Sequence, residues 1–169
     1  MWVRTAREED LQAVHALLAE TWHETYDSIM SQATVASIVD SLFSMGSLRE
    51  KLKRSYSEFV VSDSGDGTLS GMAFASQTDD VVAVLSDLYV RPTEQVQGLG
   101  TMLLAEVEMA FPGVQLMRLD VVERQLDAVS FFKRKGYVAV GSGTHWGPVS
   151  CNEPKLIMEK SLEAWDLSS

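Results

Sequence analysis

After a short opening strand, Trp2 to Thr5, apolar residues recur at helical spacing, with Leu11, Val14, Leu17 and Leu18 forming one stripe. Thr5 with Glu8 reads as a capping box ahead of that helix. The pattern loosens at Trp22, His23, Tyr26 and Ile29, which predicts a loop or a broken helix. A second helix is expected over Ala33 to Phe43, and a third, basic piece over Leu48 to Ser55. The alternating runs Phe59 to Asp63 and Leu69 to Gln77 flank Ser64-Gly65-Asp66-Gly67, the chemistry of a hairpin turn, and Val81 to Val90 completes a meander. Further on, Met102, Leu103, Val107 and Phe111 give a helix one apolar face, which Pro112-Gly113 ends. Leu116 to Val122 reads as a strand, Asp127 to Lys135 as a helix stopped by Gly136, and Tyr137 to Ser142 and Lys155 to Lys160 as two strands around an irregular stretch from Gly143 to Pro154. The predicted order is β-α-α-β-β-β-α-β-α-β-β, a mixed sheet with helices on both faces. With no repeat, low-complexity tract or linker, residues 1–169 read as a single domain.

Composition narrows the function classes. The single cysteine, Cys151, excludes an internal disulfide framework. No apolar run approaches the roughly 20 residues of a membrane span, and Met1-Trp2-Val3-Arg4 reads as a strand and not a signal peptide, so a cytoplasmic protein is expected. Lys plus Arg number 14 against 24 Asp plus Glu, a formal charge of −10 that repels phosphate backbones and argues against nucleic-acid binding. The same field would favour cationic small molecules, or serve solubility alone. The histidines His15, His23 and His145 lack ligand spacing with one another or with the cysteine, so no metal is expected.

The most informative segment is Gln95-Val96-Gln97-Gly98-Leu99-Gly100-Thr101, set between an apolar strand and an apolar helix. A helix opening leaves backbone N–H groups without intrahelical partners at the positive end of the dipole, and Gly98 and Gly100 carry no side chain to block close approach, so the turn reads as an anion cradle sized for a pyrophosphate. It is not a P-loop, since Gly100 is followed by Thr101 and Met102 and not by a lysine. A dinucleotide fingerprint needs three glycines near the first βαβ unit, and two at mid-length do not supply it.

The pattern Gln-x-x-Gly-x-Gly, preceded by Leu88-Tyr89-Val90-Arg91-Pro92, resembles the acetyl-coenzyme A site of the GNAT N-acetyltransferase superfamily. The loop Thr93 to Gly100 is especially similar to the histone-acetyltransferase version. Two further matches follow in order: the strand Leu116 to Val122, and Ala128-x-x-Phe131-Phe132-x-x-x-Gly136-Tyr137, which resembles the family's Asn-x-x-Ala-x-x-Phe-Tyr-x-x-x-Gly-Phe helix. The resemblance implies a mixed α/β fold of about seven mostly antiparallel strands, with splayed parallel strands at the cofactor site.

It also implies roles. The diphosphate would lie on amides of Val96 to Thr101, including Gln97, Gly98, Leu99 and Gly100, with Gln95 in the usual Gln/Arg position. The pantetheine arm would run along Leu88, Tyr89 and Val90, where two parallel strands splay after Val90, and a backbone N–H near Tyr89 or Val90 would polarise the thioester carbonyl. Arg91, Arg124, Lys133 and Arg134 could offset the global charge. Gln125, at the family's Asn position, keeps an amide able to bond pantetheine, and Ala128, Phe131 and Phe132 complete the cofactor side.

On the acceptor side, Asp87 interrupts an apolar strand, where an unpaired carboxylate is costly. In polyamine acetyltransferases of this superfamily an aspartate matches it, so Asp87 could hold an ammonium or help remove its proton; alternatively it pairs with a core Arg, Lys or Trp N–H. The histone branch has its glutamate base at the position of Val84. Phe132 replaces the tyrosine that protonates the thiolate in most relatives, leaving Tyr89, Tyr137, His145 and Cys151 as substitutes by residue type only. Trp22 and Tyr26, with His23 and Glu24, fall where the superfamily binds its acceptor, suited to a cation through ring contacts or else forming a core lid. His145 reads as an acceptor contact or a loop-packing residue, and the basic stretch from Arg49 to Arg54 as an interface or solvated surface. The expected function is acetyl transfer from acetyl-coenzyme A to a primary amine in a ternary complex, without a metal. Small polyamine-like or amino-sugar acceptors come ahead of a protein lysine or N-terminus, and a homodimer is possible. A longer acyl donor and a non-catalytic acyl-coenzyme A sensor are the alternatives.

Overall fold

A computed structural model describes residues 1–94, 98–143 and 154–162. Its strands are β1 (Trp2–Thr5), β2 (Ser57–Asp63), β3 (Leu69–Gln77), β4 (Val82–Val90), β5 (Leu116–Val122), β6 (Val138–Gly143) and β7 (Lys155–Ser161). The helices are α1 (Leu11–Tyr26), α2 (Gln32–Leu42), α3 (Met45–Lys53), α4 (Leu99–Met109) and α5 (Leu126–Arg134). Three helices thus separate β1 from β2: the basic piece expected over Leu48 to Ser55 is α3, a helix that the predicted element order left out. The strands form one seven-stranded sheet in the order β1-β2-β3-β4-β5-β7-β6. Among the described strands only β4 and β5 are parallel neighbours, and α4 supplies the crossover that a parallel pair needs.

At β2 and β3 both faces are covered, so these strands bury residues on both sides. Phe59, Val61, Met72 and Phe74 pack under α1, α2 and α3, while Val60, Ala73, Ala75, Ala83 and Leu85 pack with α4, α5 and β5. Within α4 the buried face is Leu99, Leu103, Leu104 and Val107, and Met102, expected inside, is largely exposed.

Two local readings are corrected. The turn into α1 is capped by the Asp10 carboxylate, which accepts the Arg7 backbone N–H at 2.7 Å, and not by Thr5 with Glu8; Thr5 Oγ1 reaches across to Glu58 instead. α1 also runs unbroken to Tyr26, because Trp22 and Tyr26 extend the Leu18 stripe at intervals of four and their rings meet at 4.8 Å. Thr21 and Thr25 satisfy their hydroxyls on carbonyls one turn back, so neither interrupts the helix.

Candidate active site

The site originates in one extra residue in β4. Leu85 pairs with Ala75 and Asp87 with the adjacent Phe74, which leaves Ser86 as a bulge. Strand side chains alternate between faces, so an extra residue reverses the alternation beyond it. Ala83 and Leu85 face the α4 and α5 side; past the bulge Leu88 and Val90 take over that side, and Tyr89 joins the α1 to α3 side. Asp87, across from Phe74, turns the same way as Tyr89. Without Ser86 the carboxylate would lie in the other core.

The parallel pairing of β4 with β5 covers only Val82 to Leu85 against Leu116 to Leu119. The gap therefore opens at the bulge and not after Val90 as the sequence suggested. The opening of α4 lies in sequence just beyond the end of β4. Gly98 is its N-cap at φ +76°, a left-handed conformation that favours glycine, and a Cβ there would meet nothing within 4 Å. Helix geometry leaves the N–H groups of Leu99, Gly100 and Thr101 without carbonyls of their own helix. At Gly100 a Cβ would come 3.3 Å from the Phe131 ring, so glycine lets α5 pack against the start of α4. Gln95, Val96 and Gln97 lie outside the described residues, as do His145 and Cys151.

The region where the sequence placed the acceptor is aromatic and mostly closed. Trp22 is 2% exposed and stacks among Tyr26 and Phe43, so it is a core lid and not an open contact for a cation. Tyr89 packs edge-on to Phe43. Burial pushes the Tyr89 phenol far above its ordinary range, and the Asp87 and Tyr26 side chains add to this against a hydrogen bond with the Trp22 indole. Tyr137 is also unsuited as an acid: it is buried, donates its hydroxyl to Glu108 at 3.0 Å, and has its pKa raised chiefly by burial. Phe132 is buried between Phe131 and Tyr137. The Gln125 amide donates to the Tyr26 hydroxyl at 2.9 Å, joining the end of α1 to the start of α5.

Asp87 is 6% exposed and pairs with Lys51, whose Nζ is 2.6 Å from Oδ2. Of the alternatives the sequence left open, pairing within the core is realised. Lys51 is also the residue that sequence reasoning missed by assigning its stretch to an interface or solvated surface. A signal existed: Lys51 falls three residues after the buried Leu48, on the inward face of α3. Arg91, expected among the cofactor's cations, bonds Glu20 and the Leu69 carbonyl.

A surface cavity of about 270 Å³ lies elsewhere, between β1 and the β2–β3 hairpin, where Asp10 and Asp63 already share the Arg4 guanidinium. Among the described residues no cluster of His, Cys, Asp or Glu is arranged to hold a metal ion, and no helix is long and apolar enough to cross a membrane.

Similar folds are known. PaiA N-acetyltransferase from Thermoplasma acidophilum, solved in complex with coenzyme A, superposes with a TM-score of 0.81 at 26% identity, covering 95% of this chain and 98% of that one. A GNAT-family acetyltransferase from Staphylococcus aureus gives 0.76 at 11% identity over 96% and 99%. The ribosomal-protein-S18-alanine N-acetyltransferase of Escherichia coli gives 0.66 at 20% over 98% and 97%. The last two establish the fold alone. The sequence model of the acetyltransferase (GNAT) family matches residues 11–137, a span that includes the bulged strand and the glycine-opened helix, and the chain therefore belongs to the GNAT family of acyltransferases.

Proposed function

We propose that this acyltransferase is an N-acetyltransferase that uses acetyl-coenzyme A and a primary amine, with direct attack of the amine in a ternary complex. Small polyamine-like or amino-sugar acceptors come first, a protein lysine or N-terminus second. The observation that carries this reading is the separation of β4 from β5 at the Ser86 bulge, beside a helix that opens on a left-handed glycine with open space above it. These features fit the cofactor: a strand edge parts where a pantetheine arm needs one, and the position of a Cβ on Gly98 is open where a diphosphate would approach.

In this reading the amides from Gly98 to Thr101 hold the diphosphate at the positive end of α4. Leu88, Tyr89 and Val90 line the arm through their backbone, opposite Gln125, Ala128, Phe131 and Phe132. The cofactor supplies the acetyl group as a thioester. Asp87 lies next to the arm-lining segment but on the opposite face of β4, and its carboxylate accepts the N–H of the incoming amine and takes up its proton. Phe132 has no proton to give, and the Tyr89 and Tyr137 phenols hold theirs tightly. An ordinary thiol pKa near 8.5 makes a dedicated acid unnecessary for departure of the sulfur.

The test is free-thiol release from acetyl-coenzyme A across a panel of amines, run beside a thermal melt with and without the cofactor. Amine-dependent release together with cofactor stabilisation supports the proposal. Stabilisation without release from any amine identifies a sensor, and release with longer acyl donors but not acetyl identifies the other alternative. A saturating ligand at about 100 times its Kd adds about 2.7 kcal/mol of stability, so binding is visible even without turnover.

A further inference from the structure

The bulge at Ser86 presents a carboxylate to the acceptor side, and the chain fills it with its own cation. Lys51 Nζ is 2.6 Å from Asp87 Oδ2, with side chains 16% and 7% exposed. The same ammonium lies 4.8 Å from the centroid of the Phe74 ring, and Phe74 is the cross-strand partner of Asp87. A carboxylate beside an aromatic face is the pair of contacts by which proteins hold a cationic ligand. Arg54 covers the same ring at 5.4 Å and is matched by Glu50. The charges gathered here are therefore Lys51 and Arg54 against Asp87 and Glu50, already balanced before any substrate arrives.

We propose that Lys51 determines acceptor specificity. Its resident ammonium closes Asp87 to polycations, so the site takes an amine whose remaining body is uncharged or anionic, as in an amino sugar. This rests on the acetyltransferase reading and narrows its substrate class. A second cation brought to Asp87 must either displace Lys51 from a site largely shut off from water or lie beside it, and like charges brought together at low dielectric repel strongly. An amine with a hydroxylated neutral body meets that penalty at one nitrogen only. Asp87 still has Oδ1 to accept one N–H, which is what proton transfer from a single reacting amine requires.

The experiment measures binding of spermidine, as the polycation, and glucosamine, as the neutral-bodied amine, to coenzyme A-loaded protein by calorimetry, with thiol release recorded in parallel. Lys51→Gln is expected to tighten spermidine binding about tenfold while moving glucosamine less than about threefold. Lys51→Arg should behave as the parent, and adding Asp87→Asn to Lys51→Gln should erase the gain. Spermidine binding that is equally tight in the parent and in Lys51→Gln overturns the proposal. If Lys51→Gln does not fold, Asp87→Asn alone decides: unchanged spermidine binding supports the proposal, and a loss of about tenfold shows that the carboxylate anchors polycations after all. The calorimetric arms do not depend on turnover, so absence of thiol release with every amine would count against the enzymatic reading and leave the specificity test standing.

Discussion

Asp87 and Gly98 make separable demands at the level of single residues. Asp87→Asn keeps shape but removes the proposed proton acceptor, so kcat for any accepted amine should fall about 100-fold or more. Coenzyme A affinity should stay near the parent's, because the carboxylate faces the α1 to α3 side while the contacts proposed for the arm are made by the backbone of residues 88 to 90. The variant also leaves the Lys51 ammonium without its counter-ion, a loss of about 2 kcal/mol in a denaturant melt. A fall in stability without a change in kcat would assign Asp87 a structural role. Gly98→Val acts in the opposite way. Its φ of +76° costs a side chain about 1–2 kcal/mol, and the new methyls, with no protein atom within 4 Å of their Cβ, project into the space assigned to the diphosphate. Cofactor-induced stabilisation should vanish while the fold persists, and an unchanged coenzyme A affinity would show the cradle to lie elsewhere. Gly98 was legible in the sequence because a glycine turn before an apolar helix is a local pattern. The partner of Asp87 was not, because Lys51 arrives from a helix 36 residues earlier whose charged letters look like surface.

The elements were legible wherever the apolar pattern was periodic, and misread where side chains made the connection. β3 and β5 match their predicted spans residue for residue: β3 is framed by turn chemistry and packs on both faces, and β5 alternates buried Met117, Leu119 and Val121 with exposed Arg118 and Asp120. The Ser86 bulge left no signal, because periodicity specifies that a strand alternates and not where it slips against its neighbour. Beyond that slip, at Gly71, β3 passes so close to the end of β4 that an added Cβ would lie 2.9 Å from the Tyr89 carbonyl oxygen and 2.8 Å from Leu103 Cδ1. The leucine tip can rotate away; the backbone oxygen cannot. Gly71→Ala should therefore cost about 1–3 kcal/mol and push the end of β4 toward the gap. Urea melts would give the stability loss. A coenzyme A Kd weakened in the same variant, although residue 71 pairs with Val90 across the strand and lies outside the proposed cofactor contacts, would show that β4 is positioned from behind. A stability loss with unchanged affinity would mean that β4 keeps its place and only the packing suffers.

Over the whole molecule, acidity and ion pairing oppose each other, and their balance sets a testable pH profile. With a formal charge of −10, the chain repels itself at neutral pH, and mild acid relieves that repulsion. Against this stands Arg4, which bridges the start of the first helical turn and the end of β2 by holding Asp10 at 2.8 Å and Asp63 at 3.0 Å. The Arg4 hydrogen bonds hold the Asp10 carboxyl below its ordinary range despite burial, with help from the Arg7 backbone. A carboxyl whose folded pKa is depressed binds fewer protons folded than unfolded, so its contribution is fully present above the unfolded value of about 4 and is lost as pH falls through the folded one. Stability should therefore rise slightly from pH 7 toward pH 5 and then collapse below about 4. Asp10→Asn separates the two effects. It should cost about 2 kcal/mol at pH 7 by leaving the Arg4 guanidinium half-satisfied. In denaturant melts across pH, the gap between parent and variant should close as the medium becomes more acidic than about pH 4. A gap that stays constant through that window would mean that Asp10 acts through shape at the helix cap, and that the acid limit of this fold is set by other carboxylates.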